Sequence, residues 1–114
     1  ALTKEMAKSM SDKAIVFALA NPVPEIMPEV AKEAGIAVIA TGRSDFANQL
    51  NNSLIFPGLF KGVLDNDIRQ FDITMFTRAA LALAKHVKNP STENILPTMF
   101  DKELVGVIAK AVSV

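Results

Sequence analysis

Three asparagines occupy positions from which they could contact a small ligand. Asn21 follows the apolar run 15–20, and Asn51 and Asn52 stand together before a stretch with helical character. An uncharged amide offers two donor hydrogens and an acceptor oxygen, so each could hold a carboxylate, a hydroxyl or another amide. Each also has an ordinary structural role, because Asn-Pro favours a turn and asparagine is a preferred helix N-cap. A helix N-terminus also attracts anions, so a small dianionic substrate would suit residues 51–52.

Four other polar residues have a chemical and an ordinary interpretation. Arg43 could bind a carboxylate or a phosphate, but a solvated loop arginine is the simpler interpretation. Asp65 and Asp67 have a spacing found in metal sites, yet nothing nearby completes a calcium-loop pattern, so we interpret them as surface residues. The single histidine, His86, lies between lysines at the end of a predicted helix. That position favours a residue that complements the helix dipole or one that is solvated, not a catalytic base.

Two apolar runs must position the first asparagine. Residues 15–20 and 36–40 are bounded by turn formers, which is typical of strands buried on both faces of a parallel sheet. Between them, Pro28 begins a predicted helix that ends near residue 34, where Gly35 supplies the left-handed position. This is a βαβ unit, whose crossover is right-handed in nearly all proteins, so both strands end at one edge. Asn21 and the loop 41–44 should line one crevice there, where open α/β sheets bind ligands.

Four further helices are predicted, over residues 2–10, from Ser53, from Ile73 and over 104–112. Thr3 and Asp72 are the expected N-caps of the first and third. Pro57 should kink or interrupt the second, in which Gly58 and Gly62 would allow close packing. The predicted inward-facing residues are Leu2, Met6 and Met10 in the first helix; Ile73, Phe76, Ala80, Leu83 and Val87 in the third; and Leu104, Val107, Ile108, Ala111 and Val112 in the last.

The composition excludes several function classes. The 114 residues suit one small domain, and half of them are hydrophobic, which predicts a surface that associates with a partner. Twelve basic and twelve acidic residues are scattered, so we expect no nucleic acid or anionic membrane as partner. No apolar run approaches the roughly 20 residues that span a bilayer. The absence of cysteine excludes disulfides and thiolate metal sites and predicts a cytoplasmic protein.

The chain has no glycine-rich turn G-x-G-x-x-G after its first predicted strand, although a dinucleotide domain begins with one. Either the protein binds no dinucleotide, or it is the second half of a domain that does. The chain opens on Ala1 without a methionine and runs directly into a helical pattern, which favours a processed or excised piece.

Five segments of the chain resemble one family, the malic enzymes. The matching segments are LTKEMAKSM at 2–10, IVFALANPVPEI at 15–26, ATGRSDF at 40–46, NQLNNSLIFPGLFKGVLD at 48–65 and ILPTMFD at 95–101. The last resembles the end of the small, bacterial-type members. The resemblance covers essentially the whole chain, with Ala47 in place of a proline that is common before Asn-Gln.

The resemblance implies an activity and a set of ligands. Malic enzymes oxidatively decarboxylate L-malate to pyruvate and CO2 with NAD or NADP and with Mg²⁺ or Mn²⁺. Asn21 matches the family asparagine beside the nicotinamide ribose and malate, which makes it a predicted cofactor- and substrate-binding residue. Asn51 and Asn52 match the paired asparagines that contact malate and cofactor. We therefore predict that Asn51 binds both and that Asn52 binds substrate.

The chain also departs from the family pattern. The general acid of the family is a tyrosine, and this chain has none. The family's catalytic lysine, metal-binding Glu-Asp pair, third aspartate and glycine-rich turn all lie upstream of the matching region, and neither Lys4 nor Lys13 matches them. We predict no catalytic residue and no metal ligand within the chain.

The predicted fold class is α/β, a partial Rossmann-like doubly wound domain with two parallel buried strands and flanking helices. Residues 1–114 would form the carboxyl-terminal half of a malic enzyme's NAD(P)-binding domain, inactive alone. Its expected partners are malate or pyruvate, the missing amino-terminal part of the enzyme, and further copies in a homo-oligomer. The alternatives are a non-catalytic half-domain that packs or binds a partner, and part of another Rossmann hydroxy-acid dehydrogenase.

Overall fold

The computed structural model describes residues 1–113, which form two compact units. The first unit contains residues 1–50 and 90–95, and the second contains residues 51–89 and the chain from residue 96 onward. The elements of the first unit are α1 (Lys4–Lys8), β1 (Ile15–Ala18), α2 (Pro28–Glu33) and β2 (Val38–Thr41). Those of the second are a 3₁₀ turn (Asn52–Leu54), α3 (Phe56–Asp65), α4 (Ile73–His86) and α5 (Leu104–Val112).

The two strands pair in parallel, as the βαβ pattern predicts. Ile15 lies opposite Val38, and Ala18 lies opposite Thr41. Successive side chains of a strand point to opposite faces, so Val16, Ala18 and Ile39 share one face and pack into the core of the first unit. The α/β class with two parallel strands and flanking helices is therefore confirmed.

The burial of β1 differs from the prediction that both of its faces are covered. Ile15 and Phe17, on the face opposite Val16, remain 66% and 52% exposed. The cause is the one-sided arrangement of the unit: α1 and α2 contribute Ala7 and Ala31 to the cluster that covers the Val16 face. β2 is better covered, with its last three residues buried.

The ends of α1 and α2 follow their sequence signals. Thr3 caps α1 by accepting a hydrogen bond from the backbone N–H of Met6 at 3.2 Å. Gly35 ends α2 with a φ of +94°, a conformation that costs glycine little. Of the predicted inward residues of α1, Leu2 packs partly against the core. The prediction is wrong for Met6 and Met10, which are exposed, and it missed Ala7, which is buried. This helix has only five residues, and its contact face is set by the small Ala7.

The second unit is a cluster of three helices in which two glycines allow the closest contact. Pro57 lies in the first turn of α3, where proline is tolerated, and does not kink the helix. It marks the point where the 3₁₀ turn ends and α3 begins. A Cβ added at Gly58 would lie 2.5 Å from Ile108 Cβ, and one at Gly62 would lie 2.2 Å from Val112 Cγ2. The predicted close packing at both glycines is confirmed, and α5 is the partner.

The buried face of α4 is rotated from the predicted stripe. Met75 and Ala79 enter the core, whereas Ile73, Phe76 and Ala80 are exposed; only Leu83 of the predicted residues packs partly against the core. This face packs with Leu104, Ile108 and Val112 of α5 in one core. Beside it, Arg78 Nε donates to the carbonyl of Ala111 at 3.1 Å and so satisfies a group near the end of α5. The last helix, α5, buries Leu104, Ile108 and Val112 as predicted, together with Ala109.

Within residues 1–113, no helix combines the length and the apolar character that crossing a bilayer requires.

Candidate functional site

An open hollow of about 490 Å³ lies at the carboxyl ends of the two strands in the first unit. It is lined by the turn after β1 and by the loop after β2, with the residues Asn21, Pro22, Val23, Gly42, Arg43, Ser44, Asp45 and Gln49. The predicted crevice between Asn21 and the loop 41–44 is thus confirmed. Parallel strands produce this arrangement, because the segments that follow β1 and β2 both leave the sheet at the same edge.

The side chain of Asn21 lies against the backbone of Gly42. A Cβ added to Gly42 would come within 3.1 Å of Asn21 Oδ1 and 3.4 Å of its Nδ2. Any side chain at position 42 would therefore displace the amide. Glycine keeps the polar end of Asn21 close to the sheet and at the edge of the hollow.

A carboxylate fixes the turn that carries Asn21. The backbone N–H of Ala20 donates to Glu25 Oε2 at 3.1 Å, and this bond is the main reason that the pKa of Glu25 lies below its usual value. The backbone carbonyl of Glu25 accepts a hydrogen bond from Leu2 N–H at 2.7 Å. Glu25 thus ties both the strand end and the amino terminus to the turn 20–25, a role that its sequence position alone did not reveal.

Arg43 is a loop arginine whose guanidinium is paired, although 36% of its side chain remains exposed to solvent. Its Nε and Nη2 donate to the two carboxylate oxygens of Asp45 at 2.9 and 2.6 Å, and the guanidinium lies 5.0 Å from the centre of the Phe46 ring. The bidentate bond lowers the pKa of Asp45 and raises that of Arg43. An anion entering the hollow would have to compete with Asp45 for this arginine.

Asn51 and Asn52 belong to the second unit, and Asn21 belongs to the first. Asn51 caps the 3₁₀ turn, since its Oδ1 accepts a hydrogen bond from Ser53 N–H at 2.9 Å. The predicted N-cap is confirmed. Asn52 is the first residue of that turn, and its side chain is exposed. For all three asparagines, ligand binding stays a prediction.

Of the two expected roles of His86, the solvated one is wrong, whereas its place in the last turn of α4 agrees with a residue that complements the helix dipole. Its Nε2–H donates to Asp101 Oδ2 at 2.8 Å, and only 13% of its side chain is exposed. The bond from His86 is the main cause of the lowered pKa of Asp101. Sequence position missed this pair because the partner lies fifteen residues away in an irregular segment. The pair joins the end of α4 to the approach to α5 and is some distance in sequence from every predicted ligand residue.

Asp65 and Asp67 are surface residues, as interpreted from the sequence. Asp65 accepts a hydrogen bond from Lys61 at 2.6 Å, and Asp67 lies 3.5 Å from Arg69. Across residues 1–113, no group of three or more histidine, aspartate or glutamate side chains could hold a metal ion.

Asn48 is a polar residue of the first unit that the sequence did not single out. It is 7% exposed, and its φ of +57° is one that asparagine tolerates better than most residues. Its Nδ2 donates to the carbonyls of Ile39 at 3.1 Å and Thr92 at 2.8 Å, while its Oδ1 accepts from Ile95 N–H at 3.0 Å. In the sequence it stands in a polar stretch, where nothing distinguishes a buried amide from an exposed one.

Comparison with known proteins gives a consistent set of matches. The family model described as the malic enzyme NAD binding domain matches residues 1–113. The bifunctional malic/malolactic enzyme of Bacillus subtilis is 50% identical over 99% of this chain, which covers 28% of that protein. The NADP-dependent malic enzyme of Escherichia coli is 40% identical over 98% of the chain and is covered to 17%.

A solved structure agrees with these matches. The crystal structure of malic enzyme from Pyrococcus horikoshii is similar with a TM-score of 0.95 and 48% identity, over 97% of this chain and 26% of that one. The chain therefore spans between about a sixth and somewhat more than a quarter of the length of these relatives.

Proposed function

Since the chain belongs to the malic enzyme family and matches its NAD-binding domain, we propose that it serves an enzyme that oxidatively decarboxylates L-malate to pyruvate and CO2. Within that enzyme, residues 1–114 form the carboxyl-terminal half of the cofactor domain. The observation that carries the proposal is the hollow at the strand ends, where Asn21 lies against Gly42. This is the edge at which parallel α/β sheets bind ligands.

Asn21 is the proposed contact with the nicotinamide ribose and with malate. Its amide can donate to a ribose or malate oxygen and accept from a hydroxyl in the same position. Gly42 fits this role because the absence of a Cβ there leaves room for the amide at the rim. NAD or NADP, when bound, supplies the acceptor for the hydride from C2 of malate. The role of this chain is to orient the cofactor and malate relative to each other. Such orientation supplies a large share of the rate enhancement of many enzymes.

Asn51 and Asn52 are the proposed contacts to malate and, for Asn51, to cofactor as well. The cap bond uses the oxygen of Asn51, so its Nδ2 remains the group to offer a ligand oxygen. Asn52 is exposed, which leaves its whole amide accessible for substrate.

The residues that complete the reaction are proposed to lie outside this chain. The chain has no tyrosine, and the acidic residues in its described part do not gather into a metal site. Mg²⁺ or Mn²⁺ would therefore be bound by another part of the enzyme. We expect residues 1–114 alone to produce no malate-dependent reduction of NAD or NADP.

Exposed apolar side chains in both units support association with a partner. In the first unit they include Ile15 and Phe17 on the open face of β1. In the second, four half-exposed phenylalanines lie in a row with ring centres about 6 Å apart: Phe56, Phe60, Phe71 and Phe76. Burying such surface is favourable, so we propose contact with the remainder of the enzyme or a homo-oligomer in the cytoplasm. Sedimentation of a well-folded monomer at high concentration would count against this.

Complementation tests the proposed function. The chain is mixed with the amino-terminal part of a malic enzyme, and malate-dependent formation of NADH or NADPH is followed with and without Mn²⁺. We expect metal-dependent turnover from the mixture and none from either part. The second candidate is a non-catalytic half-domain, which the lack of tyrosine favours. A stable complex of this chain with the amino-terminal part that shows no turnover would support the non-catalytic half-domain.

A further inference from the structure

The buried side chain of Asn48 connects its own loop to two other backbone segments through three hydrogen bonds. Its amide nitrogen serves the carbonyls of Ile39 in β2 and Thr92 in the 90–95 segment, and its oxygen accepts from Ile95 of that segment. All three bonds are shorter than 3.2 Å, and the side chain is almost completely buried. Loss of such a side chain would leave backbone groups without partners, which costs more than the bonds contribute.

The residues after Asn48 carry this fixed geometry to the hollow. Leu50 N–H donates to the carbonyl of Thr41 at 2.8 Å, and Gln49 forms a parallel bridge with Thr41. Gln49 Nε2 also approaches the carbonyl of Gly42 at 3.5 Å. Gln49 and Gly42 both line the hollow, whereas Asn48 does not. The contacts form a continuous path from Asn48 through Gln49 to Gly42, and from Gly42 to the amide of Asn21.

We propose that Asn48 is a positioning residue for the ligand hollow: by anchoring the loop 45–50 to β2 and to the 90–95 segment, it holds Gly42 and Asn21 in their binding arrangement. Its role in malate and nicotinamide binding rests on the proposed function. Asn48 itself touches no ligand in this scheme. Asparagine suits the position twice, because it tolerates the left-handed φ and provides both donors and an acceptor.

Hydrogen exchange on the full chain tests the anchoring directly. Asn48→Gly keeps the left-handed backbone accessible but removes all three bonds, and Asn48→Asp replaces the donor with an acceptor facing two carbonyls. The matched control is Asn66→Ala, which removes a side-chain bond to the carbonyl of Gly62 in the other unit. In both Asn48 variants we expect the amide of Leu50 to exchange about tenfold faster, with α2 amides and the control unchanged.

A second readout reports on the hollow itself. The side-chain amide signal of Asn21 in a ¹⁵N NMR spectrum should shift in both Asn48 variants, although none of the side-chain hydrogen bonds of Asn48 is made to Asn21. Unchanged Leu50 exchange, or an unchanged Asn21 signal, would overturn the proposal. If the variants fail to fold, the native protein provides the test. The side-chain amide of Asn48 must then exchange more slowly than that of the exposed Asn89. Equal exchange rates would overturn the proposal.

Kinetics separate this proposal from the proposed function. In the complemented enzyme, Asn48→Gly should raise the KM for malate about tenfold while kcat changes little, as expected for a misplaced binding surface. An unchanged KM would refute the positioning role even if exchange is faster. No turnover from the native mixture would refute only the proposed function, since the exchange and NMR results do not depend on it.

Discussion

The amide of Asn21 rests on the backbone of Gly42, so that a methyl group at position 42 would lie 3.1 Å from Asn21 Oδ1. The turn after β1 and the loop after β2 are therefore in direct contact at the edge of the hollow. The proposed site depends on this contact, because the Asn21 amide occupies space that a side chain at position 42 would fill.

Gly42→Ala should weaken ligand binding more than it lowers stability. The added methyl must push the Asn21 amide by a few tenths of an ångström, which is enough to misplace a hydrogen bond. We expect an approximately tenfold loss of affinity for NADH or NADPH in the complemented enzyme, and less than about 1.5 kcal/mol of lost folding stability. Fluorescence titration and chemical denaturation measure the two quantities.

Gly106→Ala is the matched control for that change. Gly106 lies in α5, and a Cβ there would have no atom within 4 Å. Alanine should stabilise this helix by about 0.5–1 kcal/mol and leave affinity unchanged. Equal affinities for the Gly42→Ala and Gly106→Ala proteins would show that the Asn21 amide does not depend on position 42.

Gly62→Ala should be strongly destabilising. Its Cβ would lie 2.2 Å from Val112 Cγ2 and 2.6 Å from the carbonyl oxygen of Ala109, so that backbone as well as side chain must move. Overpacking of this kind costs about 1–3 kcal/mol. Urea denaturation of the Gly62→Ala protein measures this cost, and Gly106→Ala is the control because it makes the same replacement on α5. Equal midpoints for the two variants would contradict the close packing of α3 on α5.

Glu25→Gln should lower stability at neutral pH but not in acid. The folded-state pKa of Glu25 lies below its ordinary value, so the ionised side chain stabilises the fold above that ordinary value. The contribution is lost as the pH falls through the folded pKa. We expect the denaturation midpoints of the native and Glu25→Gln proteins to differ near pH 7 and to converge in acid, as the pH falls through the lowered pKa of Glu25. A difference that grew in acid would contradict the bond to Ala20.

His86 and Asp101 should behave as one unit in a double-mutant cycle. Because each side chain is the hydrogen-bond partner of the other, replacing both by alanine should lower the melting temperature by less than the sum of the single replacements. Malate affinity in the complemented enzyme should stay unchanged, since the pair is structural. Additive effects on melting temperature, or a loss of malate affinity, would contradict this role.

Local sequence signals predicted much of the fold because they act over a few residues. The caps Thr3, Asn51 and Asp72 and the left-handed Gly35 all appear where they were expected. The parallel pair followed from two apolar runs joined by a helix. Each of these features depends on the backbone preferences of the residues that form it.

Features that depend on distant partners were not predictable in the same way. The inward face of α4 was misassigned because apolar residues lie on two sides of this helix, and its contact with α5 selects Met75 and Ala79. The bonds of Asn48 and of His86 join residues far apart in sequence. In the site, the crevice of the first unit was predicted from strand direction, whereas the hydrogen bonds of Glu25 and Asn48 depend on partners that only the folded chain brings together.

The kinetic effect of Asn21→Ala and Asn52→Ala in the complemented enzyme decides whether these asparagines bind malate. The control is Asn89→Ala, an exposed asparagine outside both proposed contact regions. We predict a loss of about 10²-fold in kcat/KM for malate with each of the first two and no change with the third. Full activity in both Asn21→Ala and Asn52→Ala would contradict the assignment of these asparagines to the binding site.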